Sequence, residues 1–294
     1  MPINTTSPGR FIGIDIGGTG VKGGIVNLEK GEILGSCVRL TTPQPADPES
    51  VGDVVRQIVD ELTAGNEAGR DSTVGVTFPG IVQHGTSRSA ANMDRTFIDF
   101  DIGTHFSNRI RRPVAVLNDA DAAGLAEARY GAGKGTLGTV LVITLGTGIG
   151  SALIFDGNVV SNVELGHISI DGHDAETRAS AVARERDGLG WQEYSVRLQR
   201  YLSELEFMFS PELIIVGGGI SQRADEYLPH LNLRTPVVPA KLRNEAGIVG
   251  AAIQAASAPW DRTARYGLLK SVAAPSILAS PKSPESNRPV TSSR

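Results

Sequence analysis

Three times in this chain an apolar run stops abruptly in glycines: IGIDIGGTG ends at residue 20, TVLVITLGTGIGS at residue 151 and ELIIVGGGIS at residue 221. Each run is rich in Ile and Val and reads as a buried strand, with the glycines as the turn that leaves it. A turn without Cβ atoms lets several backbone N–H groups converge on phosphate oxygens, and Thr19, Thr147 and Ser151 add hydroxyl donors. Any one of these turns could be an ordinary hairpin or strand exit. Three of them point to a ligand that carries a chain of phosphates.

Two common phosphate-binding loops fail on context. Gly18, Gly20 and Gly23 satisfy the dinucleotide spacing, but the following VKGGIVNL is β-branched and strand-like where that fold needs a helix. Gly133-Lys134 is followed by Gly rather than Ser or Thr, and Ala128 stands where a Walker loop needs its first glycine. The local pattern gives instead FIGIDI, VKGGIVNL and EILGSCVRL as three strands. A helix follows, with Asp47 as N-cap, Pro48 in its first turn and an apolar face from Val51 to Leu62. TVGVTF and PVAVLN are further strands, and Asp121 to Tyr130 reads as a helix. The grammar then restarts with TVLVITL, SALIF, an Asp156-Gly157 hairpin and a long helix burying Trp191, Tyr194, Leu198, Tyr201, Leu202, Leu205 and Met208.

The chain has 294 residues, 40% hydrophobic and 20% charged, enough to bury two modest cores. Neither a signal peptide nor a run of about 18 apolar residues is present, so a cytoplasmic protein that does not enter membranes is expected. The single Cys37 excludes an internal disulfide and a multi-Cys zinc site. Residues 259–294 carry +4 and the rest −8, which gives no steering toward nucleic acid. That Pro/Ser-biased segment is expected to be a disordered tail.

The glycine turns, Pro79-Gly80, Asn92, Asn118-Asp119, Glu164-x-x-His167 and GGGIS occur in an order that resembles the ROK-family sugar kinases. The resemblance covers residues 11 to 257. It implies an α/β fold of two lobes, the actin-like and hexokinase-like ATPase fold of ribonuclease H-like repeats, with the active site in the interlobe cleft. The expected small lobe is 1–117 plus 245–258, closed by the C-terminal helix, and the large lobe 118–244.

The same resemblance assigns roles. Asp119 is the expected catalytic base, because a sugar hydroxyl is a poor nucleophile until a carboxylate takes its proton. Gly80, Asn92, Asn118, Asp119, Glu164, His167 and Glu176 would bind the sugar. Asp15, Gly17, Gly18, Thr19 and Lys22 of the first turn and Gly146, Thr147, Gly148 and Gly150 of the second would hold phosphates, with Gly217, Gly218 and Gly219 toward the far end of the donor. Asp15 would help to hold Mg²⁺, through water. Without the resemblance, Asp119 or Asp121 could be a helix cap, and the Glu164 and His167 pair a core contact or half a metal site; with it, Asp121 keeps the cap and Asp119 takes the base.

The interval ISIDGHDA holds no cysteine where many family members carry a zinc loop, so no structural zinc is expected. With TTPQP, YGAGKG and DAETRAS, this departure resembles the polyphosphate-dependent glucokinase branch of the family. The expected activity is therefore phosphoryl transfer from polyphosphate or ATP to the 6-hydroxyl of glucose, and of mannose. An ATP-only hexokinase and a non-catalytic sugar sensor remain as alternatives. A repressor would need a DNA-binding segment before Phe11. The oligomeric state, monomer or homodimer, stays open. A polyphosphate groove is expected from Lys134 with Arg178, Arg184 and Arg186, although these arginines could also be a solvated helix face.

Overall fold

The computed structural model describes residues 9–64 and 73–257; the expected tail lies outside them. In the first half, β1 (Arg10–Ile16), β2 (Gly20–Asn27) and β3 (Glu32–Thr41) form an antiparallel meander. Alternate residues Ile12, Ile14 and Ile16 are fully buried, as the period of two demands. Helix α1 (Pro48–Thr63) starts where expected, with the Asp47 side chain accepting from Ser50 N, and buries Val51, Val55, Ile58 and Val59. Strand β4 (Val74–Phe78) then pairs parallel to β1, buried at every residue. A small side sheet of β5 (Val82–Gln83), β6 (Thr86–Ser87) and β7 (Phe100–Asp101) precedes α2 (Ile102–Ile110) and β8 (Val114–Asn118), which pairs parallel to β4.

After α3 (Asp119–Tyr130) the pattern repeats. Strands β9 (Thr139–Leu145), β10 (Ile149–Phe155) and β11 (Asn158–Val160) form a second meander. Its last turn is the expected Asp156-Gly157 hairpin, with φ of 48° and 76°. The hairpin β12 (Ser169–Ile170) and β13 (His173–Asp174), the short helices α4 (Glu176–Ala179) and α5 (Ala181–Arg186), and the long α6 (Trp191–Phe209) follow. Strand β14 (Leu213–Gly217) pairs parallel to β9, and after α7 (Ala224–Tyr227) β15 (Val237–Pro239) pairs parallel to β14. The sheet orders are β3-β2-β1-β4-β8 and β11-β10-β9-β14-β15, the same topology twice. The first glycine turn (β1 to β2) and the second (β9 to β10) thus occupy equivalent positions. The third glycine turn, after β14, is the counterpart of Pro79-Gly80 after β4.

Two helices join the halves. Helix α8 (Ala246–Ser257) lies on β1 and β4, and α3 lies on β9 and β10. Gly13 and Gly75 permit the close approach, because a Cβ at either would overlap the Ile248 or Ala251 carbonyl. Gly250 of α8 meets the Ala122 carbonyl of α3 in the same way. Helix α6 covers the other face of the second sheet with Tyr194, Leu198, Tyr201, Leu202 and Leu205.

Two local expectations are corrected. The cap of α3 is Asn118, whose Oδ1 accepts from Asp121 N at 3.0 Å, while Asp121 sits inside the first turn with 1% exposure. Met208 belongs to the outer face of α6 and is 45% exposed, since the buried stripe turns away from it after Leu205.

Candidate active site

Asp119 follows the last residue of β8, where the parallel strand opens into a helix. Asn118 is 8% exposed, caps α3 with Oδ1 and donates from Nδ2 to Gly80 O at 3.1 Å. The strand end and the Pro79-Gly80 turn are therefore fixed to one another. Asp119 itself accepts from Ala120 N at 2.9 Å. Burial pushes its carboxyl up to about 7, assisted by the negative charges of Asp15 and Glu164. Three carboxylates expected at the site thus lie in one electrostatic neighbourhood.

Asp15 is at the exit of β1. Its Oδ1 accepts from Thr77 Oγ1 at 2.8 Å, and its Oδ2 stands 3.5 Å from Lys22 Nζ. The α8 terminus reaches the same point, since a side chain at Gly247 would overlap the Asp15 carboxylate. Beside it, a cavity of 340 Å³ is lined by Gly17, Thr19, Gly20, Lys22, Arg39, Leu40 and Thr41. Arg39 was missed in the sequence because it lies in another strand. The β2 and β3 register sets it directly opposite Lys22, so two cations share one edge of the cavity. Asn92, with φ of 58°, packs over Gly18, so a candidate sugar residue adjoins the first phosphate turn.

The second turn is tied to the remaining sugar candidates. Glu176 Oε2 accepts from Ile149 N at 2.8 Å and occupies the space a Cβ at Gly148 would take. Tyr201, buried with its hydroxyl unpaired, lies within the field of the same carboxylate, which together with burial pushes its phenol upward. Ser151 does not present its hydroxyl to a ligand, contrary to expectation. It donates to Val163 O and accepts from Leu165 N, and so holds the backbone on either side of exposed Glu164. His167 Nδ1 lies 2.9 Å from Asp174 Oδ2, and this contact raises the imidazole above its ordinary value. In the neutral ring that bond holds the proton on Nδ1 and leaves Nε2 as an acceptor. Gly146, Gly150 and Thr147 complete the turn, with Gly146 N donating to Gly148 O and Gly146 facing open space on its Cα side.

At the third turn Gly217 packs on Thr144, Gly218 (φ 81°) on the Leu145 carbonyl, and Gly219 faces open space. The residues of the expected cationic groove differ in their partners. Lys134 lies in the turn after α3, with its N–H donating to Gly131 O. Arg186 is bound to Asp187 and to Thr177 O, and Arg178 to His173 Nε2. Arg184 differs. Its guanidinium lies 3.7 Å over the Trp191 ring, its Nε is buried without a partner, and it forms no ion pair among the described residues. Arg223, just beyond the third turn, lies 5.3 Å from the same ring and pairs with Glu226. Val182 N donates to Gly146 O, which attaches α5 and Arg184 to the second turn.

Among the described residues no cluster of three His, Cys, Asp or Glu is arranged to hold a metal, and no helix is long and apolar enough to cross a membrane. The donor set nonetheless suits a divalent cation held partly by substrate. Asp15 offers carboxylate oxygens whose charge adds to that of Asp119, repulsion that a cation held at Asp15 would relieve, and Mg²⁺ commonly takes only one or two carboxylates, with phosphates and water supplying the rest.

A duplicated five-stranded fold with glycine turns at equivalent strand ends is the architecture of the actin-like ATPase class. The ROK family matches residues 11–181, and the chain belongs to it. It is 45% identical over 253 residues to the polyphosphate glucokinase of Mycobacterium tuberculosis, covering 84% of this chain and 92% of that protein. Among solved structures, the inorganic polyphosphate/ATP-glucomannokinase of Arthrobacter sp. strain KM is 69% identical with a TM-score of 0.80, over 84% of this chain and 98% of that one. A ROK family glucokinase from Streptomyces griseus, in complex with glucose and AMPPNP, is 27% identical with a TM-score of 0.73, over 85% and 100%.

Proposed function

We propose that this chain is a polyphosphate- and ATP-dependent glucokinase that transfers a terminal phosphoryl group to the 6-hydroxyl of glucose. The observation that carries the reading is Asp119, a carboxylate at a strand end whose environment tunes it to about 7 beside phosphate-type glycine turns. A base of that pKa matches proton abstraction near neutral pH, and 69% identity to a polyphosphate/ATP-glucomannokinase supplies the donor and acceptor. Mannose, which differs from glucose at C2 alone, is a second acceptor in this reading.

The sugar lies among Gly80, Asn92, Asn118, Glu164, His167 and Glu176, whose polar groups penalise a ligand lacking the matching hydroxyls. Its 6-hydroxyl gives its proton to Asp119 as the new P–O bond forms and the old one breaks. Lys22, Arg39 and the N–H groups of the first two turns offset the charge of the transferring phosphoryl. Asp15 would hold Mg²⁺ through water, and the ion would supply charge neutralisation to the phosphates. Glu176 keeps the second turn in shape through Ile149 N. The donor extends past the second and third turns toward Arg184 and Arg223 on Trp191.

A coupled assay for glucose 6-phosphate, with polyphosphate or ATP and Mg²⁺, tests the reading. Product formed with both donors supports it. Glucose binding with no product from either donor is the behaviour of a sugar sensor and would overturn it.

A further inference from the structure

Asn162 lies on no strand or helix and belongs to none of the motifs discussed above. It nevertheless makes three hydrogen bonds to residues 41 and 80 positions earlier in the chain. Its Oδ1 accepts from Val82 N at 2.8 Å and its Nδ2 donates to Val82 O at 2.9 Å, so one side-chain amide satisfies both backbone groups of a single β5 residue. This imitates one rung of a sheet. The backbone of Asn162 is left-handed, with φ of 61°, a conformation that Asn tolerates better than most residues. Its N–H donates to Asp121 Oδ2 at 2.8 Å.

Asp121 is the third residue of α3, 1% exposed, and its buried Oδ1 has no hydrogen-bond partner among the described residues. A buried carboxyl with one oxygen unpaired is costly for folding alone, where an amide or an apolar side chain would be cheaper. The bonds around it close a ring. Asn118 accepts from Asp121 N and donates to Gly80 O; two residues beyond Gly80, Val82 pairs with Asn162; and Asn162 returns to Asp121. The two arms of the candidate sugar pocket hang from that ring, Gly80 on one side and Glu164, two residues past Asn162, on the other.

We infer that Asn162 and Asp121 form a clasp that sets the spacing of the two sugar-binding arms, and so act as positioning residues for glucose affinity rather than for phosphoryl transfer. The inference rests on the proposed sugar pocket. A clasp made in advance removes ordering that the sugar would otherwise have to impose when it binds. Neither residue belongs to the glycine turns that hold the donor, so donor affinity should be indifferent to it.

The test uses steady-state kinetics of the full chain. Asn162→Gly keeps the left-handed backbone and the N–H bond to Asp121 but removes both side-chain bonds to Val82, opening the clasp; it should raise KM for glucose about tenfold, leaving kcat and KM for polyphosphate within about twofold. Asn162→Asp, the variant safer for folding, keeps the acceptor for Val82 N but faces Val82 O with an oxygen, and should shift KM for glucose in the same direction. Asp121→Asn retains an acceptor for Asn162 N and should stay near the parent, whereas Asp121→Ala should resemble Asn162→Gly. The double variant Asn162→Gly with Asp121→Ala should be no worse than either alone, because the two act as one unit. Unchanged glucose KM in the Asn162 variants, or equal rises for glucose and polyphosphate, would overturn the clasp. Absence of any glucose binding or phosphorylation by the parent chain would instead overturn the sugar-pocket reading on which it rests.

Discussion

At the residue scale, Asp119 joins activity to instability. Its carboxyl is raised above the 3.8 of an unperturbed Asp to about 7, so deprotonation above the unfolded value costs stability and the cost grows until pH passes about 7. Replacing it with the isosteric neutral Asn should therefore stabilise the protein at pH 8, by about 2 kcal/mol once partial exposure is discounted, and hardly at all at pH 4. Denaturant titrations of both forms at the two pH values measure this; a loss of stability at pH 8 would contradict it. The same shift gives catalysis an acid limb. In kcat/KM for glucose, activity should fall with unit slope as pH drops below an apparent value near 7, lower when Mg²⁺ sits beside the carboxylate. A profile flat to pH 5 would separate Asp119 from the rate.

At the element scale, the glycines divide by what they touch. Gly75 lies under α8, and a methyl group there would strike the Ala251 carbonyl, a backbone atom that cannot yield without moving the helix. Gly75→Ala should cost about 2 to 4 kcal/mol and lower Tm by several degrees in calorimetry. At Gly219 a Cβ meets nothing within 4 Å, so Gly219→Ala should leave Tm within a degree and act, if at all, on donor KM. Arg184 extends the donor argument. Arg184→Gln should raise KM for long-chain polyphosphate more than KM for ATP, and added salt should narrow that gap. Equal effects on both donors would remove Arg184 from the path of the longer polyanion.

These elements also show how much the sequence reveals. Period-two burial in β1, the Asp47 cap, the Asp156-Gly157 hairpin and the glycine turns are local, and local patterns suffice for them. Asp121 as a cap was wrong because Asn118, three residues earlier, was the better-placed acceptor, which spacing alone does not decide. Arg39 required the β2 and β3 register, Arg184 required a Trp seven residues on to fold back over it, and Asn162 required a partner 80 residues away. Ser151 looked like a phosphate donor because a hydroxyl beside glycines is ambiguous until Val163 and Leu165 are placed around it.

At the scale of the whole molecule, the repeated sheets meet through α3 and α8, and the candidate site residues are distributed over both. Helix α8 comes from the C-terminal part of the chain yet covers β1 and β4, with Ile248, Val249, Ala252 and Ile253 buried. A chain ending before Ala246 would expose that whole face of the first sheet and lose the wall beside Asp15. It should fail to fold, giving no cooperative transition, whatever its donor or sugar. Asp119 starts the helix that faces α8, which places the proposed base where the two repeats meet. The central claim is that this one carboxylate takes the sugar proton within an otherwise intact phosphate and glucose site. The direct measurement is kcat for Asp119→Asn with glucose and polyphosphate, beside its glucose affinity by calorimetry. A fall in kcat of about 10² to 10⁴-fold with glucose still bound is the expected result, and near-normal turnover would contradict it.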